Sequence, residues 1–285
     1  MGMTMTTRTL QTTTMTAPAP GTGILHPFPT RQIPHLDPFV FLDTGSPKQL
    51  GKGEIYVGPH PHRGVQPVSL LFRGRIEHRD SLGTHRTVTS GGIQWLVAGS
   101  GALHEEVLCG DEEGVFHMAQ LWVNVPAARK MDAPEHHAVP AEQVPSLDSL
   151  GSGSTLRLYA GSLAGHEGPA PMPTPVLVAH VMLEAGGSIS IPVPRGWTAS
   201  FTVVDGEVTS GGTALGTGGT AVFADDGQTV EISSVGGGQL LLMCGEPIGE
   251  PIAMGGGFVM NERAEVERAF ADYRSGGMGE LAASR

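Results

Sequence analysis

The sequence predicts an all-β fold, and its turn-forming residues and strand-like alternation support that prediction. The 285 residues include 42 glycines and 22 prolines along the whole chain, which is typical of many tight turns between short strands. Between residues 54 and 124, short extended runs alternate with turn signals at the spacing of a β-sandwich or barrel. A second β-rich stretch, about residues 155–243, contains the hairpin signals Asp205-Gly206 and Asp226-Gly227. The two stretches are similar in length and turn density, so we expect two copies of one β architecture.

Charge and composition exclude several classes of function. The net charge of −11, from 28 acids and 17 bases, argues against a nucleic-acid-binding surface but leaves a protein partner open. The two cysteines are far apart, which indicates neither a disulfide framework nor a zinc ribbon. There is no run of 18 apolar residues and no secretory signal, so no membrane span is expected. We expect a monomer in the cytoplasm.

Composition also predicts the division of the chain. Residues 1–31, rich in Thr with several Met, Pro and Gly, are interpreted as a disordered leader. Residues 32–126 form the first expected barrel. Residues 127–150 contain Pro, Ala and charged residues with little β pattern, and are interpreted as an inter-domain linker. Residues 151–285 form the second barrel together with a terminal helix.

The terminal helix is predicted from a change in periodicity. Val266, Phe270 and Tyr273 fall at helical spacing, which predicts an amphipathic helix over about residues 262–275 with that face on a sheet. Asn261 is the expected N-cap, and the Gly276-Gly277 pair is a stop signal.

Two short motifs predict a metal centre. His60 and His62 are two residues apart, as are His104 and Glu106, and each pair shares a face if its segment is extended. Three neutral nitrogens and a carboxylate oxygen suit a divalent transition metal. Strand alternation favours Glu106 over Glu105 as the fourth ligand.

The remaining histidines are interpreted differently. An isolated histidine is more commonly solvated or packed in the core than a ligand. This interpretation applies to His78, His85, His117, His136 and His137. The C-terminal half offers only His166 and His180 without an HxH pattern, so its role is expected to be structural.

Motifs along residues 32–279 resemble the pirin family. They include His60-Pro61-His62-Arg63-Gly64, Glu77-His78-Arg79-Asp80-Ser81-Leu82-Gly83, Gln94-Trp95, Ala98-Gly99-Ser100-Gly101, Gln120-Leu121-Trp122-Val123-Asn124, Gly245-Glu246-Pro247-Ile248, Phe258-Val259-Met260-Asn261 and Phe270-Ala271-Asp272-Tyr273. The resemblance implies a bicupin, with two double-stranded β-helix (jelly-roll) barrels. It also implies one metal, usually iron, in the N-terminal barrel, while the C-terminal barrel is degenerate. The implied ligands fall on His60, His62, His104 and Glu106.

The chain departs from the family after the HxHRG motif. Pirins commonly have Phe-Glu-Thr there, whereas this chain has Val65-Gln66-Pro67. Because pirins use the later glutamate as ligand, Gln66 does not remove the site, although it alters the surroundings of the metal. Val65 is expected to widen the cavity. Pro67 cannot donate a ladder hydrogen bond, so the strand is expected to be irregular or at an edge there.

The resemblance implies a dioxygenase of the quercetin 2,3-dioxygenase type. Its cofactor is expected to be Fe(II), with Mn, Ni, Co, Cu and Zn as alternatives. The expected substrates are O₂ and a small aromatic or enediol compound such as a flavonol or catechol, and Glu106 is a candidate proton acceptor as well as a ligand. The alternative is a metal- or redox-responsive regulator that binds a protein partner without turnover. A third hypothesis, a metal-dependent cupin with another chemistry such as isomerisation, is not separated from the first by the sequence.

Overall fold

The computed structural model describes residues 5–148 and 150–282 and divides the chain into two compact units. The site unit comprises residues 47–142 and 248–285. The companion unit comprises residues 1–46 and 143–247. Both are built from antiparallel strands, which confirms the predicted all-β fold.

The strands are short and closely spaced. They are β1 (Leu10–Met15), β2 (Ile24–Phe28), β3 (Phe39–Gly45), β4 (Lys48–Gln49), β5 (Glu54–His62), β6 (Val65–Arg73), β7 (Arg75–Asp80), β8 (His85–Thr89), β9 (Ile93–Val97), β10 (Ala102–Cys109), β11 (Val115–Asn124), β12 (Glu135–Val139), β13 (Ser146–Leu147), β14 (Gly151–Ala160), β15 (Ser162–Leu163), β16 (His166–Glu167), β17 (Val176–Pro192), β18 (Thr198–Ser210), β19 (Thr213–Gly216), β20 (Gly219–Phe223), β21 (Thr229–Ser233), β22 (Gly238–Gly245), β23 (Ala253–Gly255) and β24 (Phe258–Met260). Helix α1 spans Arg263–Arg274, and 3₁₀ turns lie at Ala127–Arg129 and Ala141–Gln143.

The site unit contains two layers of strands around an apolar core. One layer has the order β5-β10-β7-β8, and the other includes β12-β9-β6-β11. Leu71 of β6 and Phe116 of β11 pack with Ile76, Val88 and Leu108 from the first layer. The two layers are thus joined by the inward-facing residues of alternating strands. The start of β10 pairs with the end of β5.

A buried lysine holds the turn after β5 to the tail of the chain. Lys130 Nζ donates to the carbonyl oxygens of Gly64 (2.8 Å) and Val259 (3.0 Å) and to Asn124 Oδ1 (2.6 Å). Arg63 donates to the Ser100 carbonyl and to Asp272 in α1. These contacts fix the chain that immediately follows the His60–His62 pair.

The companion unit is a closed barrel. Strands β21 and β22 each pair with both β17 and β18, so the ladder returns on itself. Its interior is filled by aliphatic and aromatic residues, among them Phe201, Phe223 and Leu242. The candidate metal-binding clusters of the described residues all lie in the other unit.

The leader differs from the prediction. Residues 1–31 were expected to be disordered, but β1 pairs with β20, from Leu10–Phe223 to Met15–Gly219. Arg8 is buried and donates to the carbonyl oxygens of Pro194 and Trp197 and to Asp225. The pairing relies on main-chain hydrogen bonds, which polar composition does not reveal. Residues 1–4 lie outside the described part of the chain.

The expected linker and the expected C-terminal boundary also differ. Within 127–150, β12 extends a sheet of the site unit by pairing with β9, and β13 pairs with β14 in the companion unit. The division between units falls at residues 142 and 143, and residues 248–285 belong with the first barrel instead of the second. Long-range pairing, invisible in local composition, decides these boundaries.

The terminal helix is confirmed with small corrections at its start. Glu262, instead of Asn261, is the N-cap, and it forms a capping box with Glu265. Val266, Phe270 and Tyr273 pack in an apolar cluster with residues of β23 and β24. None of the helices in the described part of the chain has the length and apolar character that crossing a membrane requires.

Candidate metal centre

Three histidines converge where β5 ends and β10 begins. The antiparallel register places Ala102 opposite His62 and His104 opposite His60. Ring centroids are 4.2 Å apart for His60 and His104 and 5.0 Å apart for each of the other two pairs. One nitrogen from each of the three rings lies within 4.8 Å of the others.

Glu106 faces the interior, and Glu105 faces the other side of β10. Glu106 is 7% exposed, whereas Glu105 is partly exposed and bonds to Tyr56 and Arg79. Strand alternation therefore orients the two carboxylates as expected. However, Glu106 groups within 4.8 Å with His104 and His78, not in one set with all three predicted histidines. It adjoins the three-histidine group through His104.

Each predicted histidine uses its Nδ1 away from the centre. His60 Nδ1 lies 2.9 Å from the Gly58 carbonyl oxygen, and His62 Nδ1 lies 3.1 Å from that of Gly257. A carbonyl only accepts, so both rings carry their proton on Nδ1 and leave an Nε2 lone pair. His104 Nδ1 contacts His78, and its buried Nε2 has no hydrogen-bond partner among the described residues.

Burial controls the charge of this group. The pKa of His62 is lowered to about 3, mainly because burial removes its hydration and to a smaller extent because of the charge of His60. Burial and then the neighbouring histidines lower the pKa of His104 well below its ordinary value. Both rings are neutral at pH 7, as a metal ligand must be. Burial raises the pKa of Glu106, and a cation beside it would favour the carboxylate.

The donor set fits a divalent transition metal. Neutral imidazoles and one carboxylate suit such ions, and the unpartnered His104 Nε2 is a costly buried group unless something binds it. Gln94 Nε2 donates to Glu106 Oε1 at 2.6 Å, which holds that carboxylate and leaves Oε2 available. The edge of Trp122 packs against His62, with ring centroids 5.0 Å apart.

The segment that departs from the family pattern is continuous in the structure. Val65 and Gln66 are buried in β6, which pairs with β11 along its length, including Pro67 opposite Trp122. The pairing of β6 with β9 begins only at Val68. Pro67 thus lies one residue before the pairing of β6 with β9 begins, where the lack of a backbone N–H is tolerated. β6 is not an edge strand, because it pairs with β11 on one side and with β9 on the other.

Several residues at the site were not predicted from sequence. His78 and His136 were interpreted as ordinary solvated or core histidines, but His78 contacts His104, and His136 stacks on His78. Gln94 and Gly257 each bond to a predicted ligand. The His78-x-Asp80 spacing repeats the alternation of the HxH motif and was an available signal.

The other singled-out histidines lie outside the candidate clusters of the described residues. His117 packs against Phe72, and His137 stacks on Trp95. His180 bonds to Gln239 in the companion unit.

Two models of one known family match the sequence of this chain. The Pirin model matches residues 21–123, and the Pirin C-terminal cupin domain model matches residues 178–279. The chain belongs to the pirin family.

Relatives and solved structures extend along most of the chain. A Pseudomonas aeruginosa protein provisionally named quercetin 2,3-dioxygenase is 34% identical over 247 residues, which cover 85% of this chain and 86% of that protein. Human pirin is 32% identical over 250 residues, covering 86% of this chain and 83% of that protein. Quercetin 2,3-dioxygenase from Acinetobacter baumannii superposes with a TM-score of 0.90 at 30% identity, covering 97% of this chain and all of that one. An Escherichia coli pirin solved with nickel(II) shares the fold, with a TM-score of 0.62 and 18% identity over 83% of this chain and 100% of that chain.

Proposed function

We propose that the chain is an iron-dependent dioxygenase that cleaves a flavonol- or catechol-like substrate, with the metal held by His60, His62, His104 and Glu106. The observation that carries this proposal is the convergence of three imidazoles. His60 and His62 turn Nδ1 toward backbone carbonyls, and His104 Nε2 has no hydrogen-bond partner among the described residues. The names of the Pseudomonas and Acinetobacter proteins support the reaction class. The nickel complex of the E. coli pirin is consistent with a divalent metal in this fold.

The residues around the centre have separable roles. When bound, the metal would supply Lewis acidity toward a phenol or enol oxygen and redox contact with O₂. His60 is partly exposed while His62 and His104 are buried, so a substrate would approach from the His60 side. Glu106 is the acid–base group of the centre. Its Oε1 is held by Gln94, and its carboxylate can accept a proton from the substrate.

Quercetin turnover tests the proposal directly. The protein is loaded anaerobically with Fe(II), mixed with quercetin under O₂, and followed by the flavonol absorbance band and by oxygen uptake. Glu106→Gln should reduce the rate about 100-fold or more, because it removes both a ligand charge and a proton acceptor. Glu105→Gln is the matched control and should retain the rate, because Glu105 faces away from the centre.

The outcomes separate the proposed functions. Metal-dependent loss of the flavonol band that disappears in the Glu106→Gln variant supports the dioxygenase. No metal-dependent loss with quercetin or simple catechols, in protein that binds stoichiometric iron, would exclude this substrate class. The metal-responsive regulator would then become the better proposal.

A further inference from the structure

A buried chain of three side chains leads from a loop to the metal centre. Asp80 Oδ2 lies 2.9 Å from His78 Nε2, and His78 Nδ1 lies 3.3 Å from His104 Nδ1. All three residues are at most 4% exposed. The register of β7 against β10 places Asp80 directly opposite His104.

The loop after β7 holds the far end of this chain. The backbone N–H groups of Leu82 and Thr84 donate to Asp80 Oδ1 at 3.0 and 2.9 Å, so Oδ2 is left to His78. Burial alone would raise the pKa of Asp80, but the hydrogen bonds from His78, Thr84 and Leu82 together bring it below its ordinary value. Asp80 is therefore an ionised carboxylate at pH 7, and an ionised carboxylate only accepts hydrogen bonds.

The position of each proton follows from that acceptor. His78 must carry its proton on Nε2 to donate to Asp80. In a neutral ring this leaves Nδ1 as an acceptor, so His104 must donate from its own Nδ1. The consequence is a bare lone pair on His104 Nε2, the buried nitrogen without a partner among the described residues.

We propose that Asp80 and His78 are positioning residues that set the tautomer of His104 and so prepare its Nε2 for the metal. His60 and His62 have their tautomers set by backbone carbonyls. The tautomer of His104 is instead set by two side chains, His78 and the charged Asp80 behind it, which we call the relay. The inference rests on the proposed metal site but not on the identity of the substrate.

His136 completes the arrangement by fixing the ring plane of His78. The two rings are parallel, with centroids 3.7 Å apart and an interplanar angle of 12°. His136 arrives on β12, which pairs with β9. Neither of its ring nitrogens has a hydrogen-bond partner among the described residues, so its role here is to stack on His78.

His78 and Asp80 also belong to a second candidate metal-binding cluster. His78, Asp80 and His136 also have potential ligand atoms within 4.8 Å of one another. However, His78 and Asp80 already satisfy each other at 2.9 Å. The relay therefore predicts one metal per chain, and a second equivalent bound by these three residues would overturn it.

Two substitutions of His78 separate the halves of the relay. Asparagine places its side-chain oxygen near the position of Nδ1, and glutamine places its amide nitrogen near the position of Nε2. His78→Asn should keep the acceptor for His104 and bind Co(II) within about threefold of wild type. His78→Gln keeps the contact with Asp80 but loses that acceptor, and it should bind Co(II) about 10–100-fold more weakly.

Asp80→Asn should invert the relay without removing it. The two backbone N–H groups require the amide oxygen at the Oδ1 position, which turns the amide NH₂ toward His78. His78 would then accept at Nε2 and donate from Nδ1, so His104 would carry its proton on Nε2. We expect Co(II) affinity to fall about 10–100-fold.

Histidine-detected long-range ¹H–¹⁵N NMR of the metal-free protein reads these tautomers directly. The expected wild-type pattern is Nε2–H for His78 and Nδ1–H for His104, with both reversed in Asp80→Asn. Thermal melts of each metal-free variant establish that it is folded, and His136→Phe, which keeps stacking without nitrogen ligands, should retain one Co(II) per chain.

The results distinguish this inference from the proposed function. A wild-type His104 with its proton on Nε2, or an Asp80→Asn variant with unchanged Co(II) affinity, would overturn the relay. So would two bound Co(II) per chain that fall to one in His136→Phe. The expected tautomers and affinities together with no quercetin turnover would support the relay while refuting the dioxygenase.

Discussion

Replacement of Gly257 by alanine should disturb the metal centre from the distant tail of the chain. The Gly257 carbonyl oxygen accepts from His62 Nδ1 at 3.1 Å and from the Arg63 backbone N–H at 3.4 Å. A Cβ at this position would lie only 1.9 Å from the Pro61 carbonyl oxygen, well inside the ordinary contact distance of about 3.5 Å. The backbone must therefore move away from β5, and both hydrogen bonds are lost.

The expected magnitude follows from those two contacts. Each lost hydrogen bond costs about 0.5–1.5 kcal/mol, so the metal-free Gly257→Ala variant should lose about 1–3 kcal/mol of unfolding free energy. His62 also loses the carbonyl that fixes its tautomer. Loss of such a partner typically weakens metal binding about 10–100-fold.

Competition with a chromophoric chelator for Co(II), together with urea unfolding of the metal-free protein, measures both effects. Gly236→Ala is the control, because an added Cβ there has no atom within 4 Å and its backbone is not left-handed. That control should match wild type in both assays. A folded Gly257→Ala variant with wild-type Co(II) affinity would refute the role assigned to the tail.

Three further perturbations test other parts of the structure. Burial lowers the pKa of Lys130 to about 8, whereas the pKa of this lysine in the unfolded chain is about 10.5. Between these two values the unfolded chain holds more protons than the folded one. The free energy of unfolding of wild type should therefore rise with pH across that interval, by up to about 3 kcal/mol relative to Lys130→Met. The prediction would be contradicted if the urea midpoints of wild type and Lys130→Met changed equally between pH 7.5 and pH 10.5. Arg8→Met should cost about 1–3 kcal/mol, because the buried guanidinium loses its hydrogen bonds to the carbonyl oxygens of Trp197 and Pro194. Wild-type thermal stability in this variant would show that the leader adds nothing. Cu(II) bound beside His62 should quench Trp122 fluorescence, so Trp122→Phe should lose most of the metal-dependent quenching. Equal quenching in that variant would assign the signal to another tryptophan.

Much of the candidate centre could be predicted because strand geometry is local. Side chains two residues apart in a strand share a face, so His60 accompanies His62, and Glu106 turns inward while Glu105 turns outward. The all-β class and the terminal helix followed similarly, from turn chemistry and from a change of period. These features depend on neighbours along the chain, which the sequence displays directly.

Only the tertiary structure decided which distant segments complete the centre and the barrels. The carbonyl of Gly257 reaches His62 across 195 residues, and His136 reaches His78 from a segment interpreted as a linker. The Thr-rich leader becomes a strand because β20 offers it main-chain partners. Such contacts arise from long-range pairing of backbone groups, and that pairing leaves little trace in local composition. The sequence by itself therefore determined which side chains can serve as ligands, and the tertiary structure determined what holds them in place.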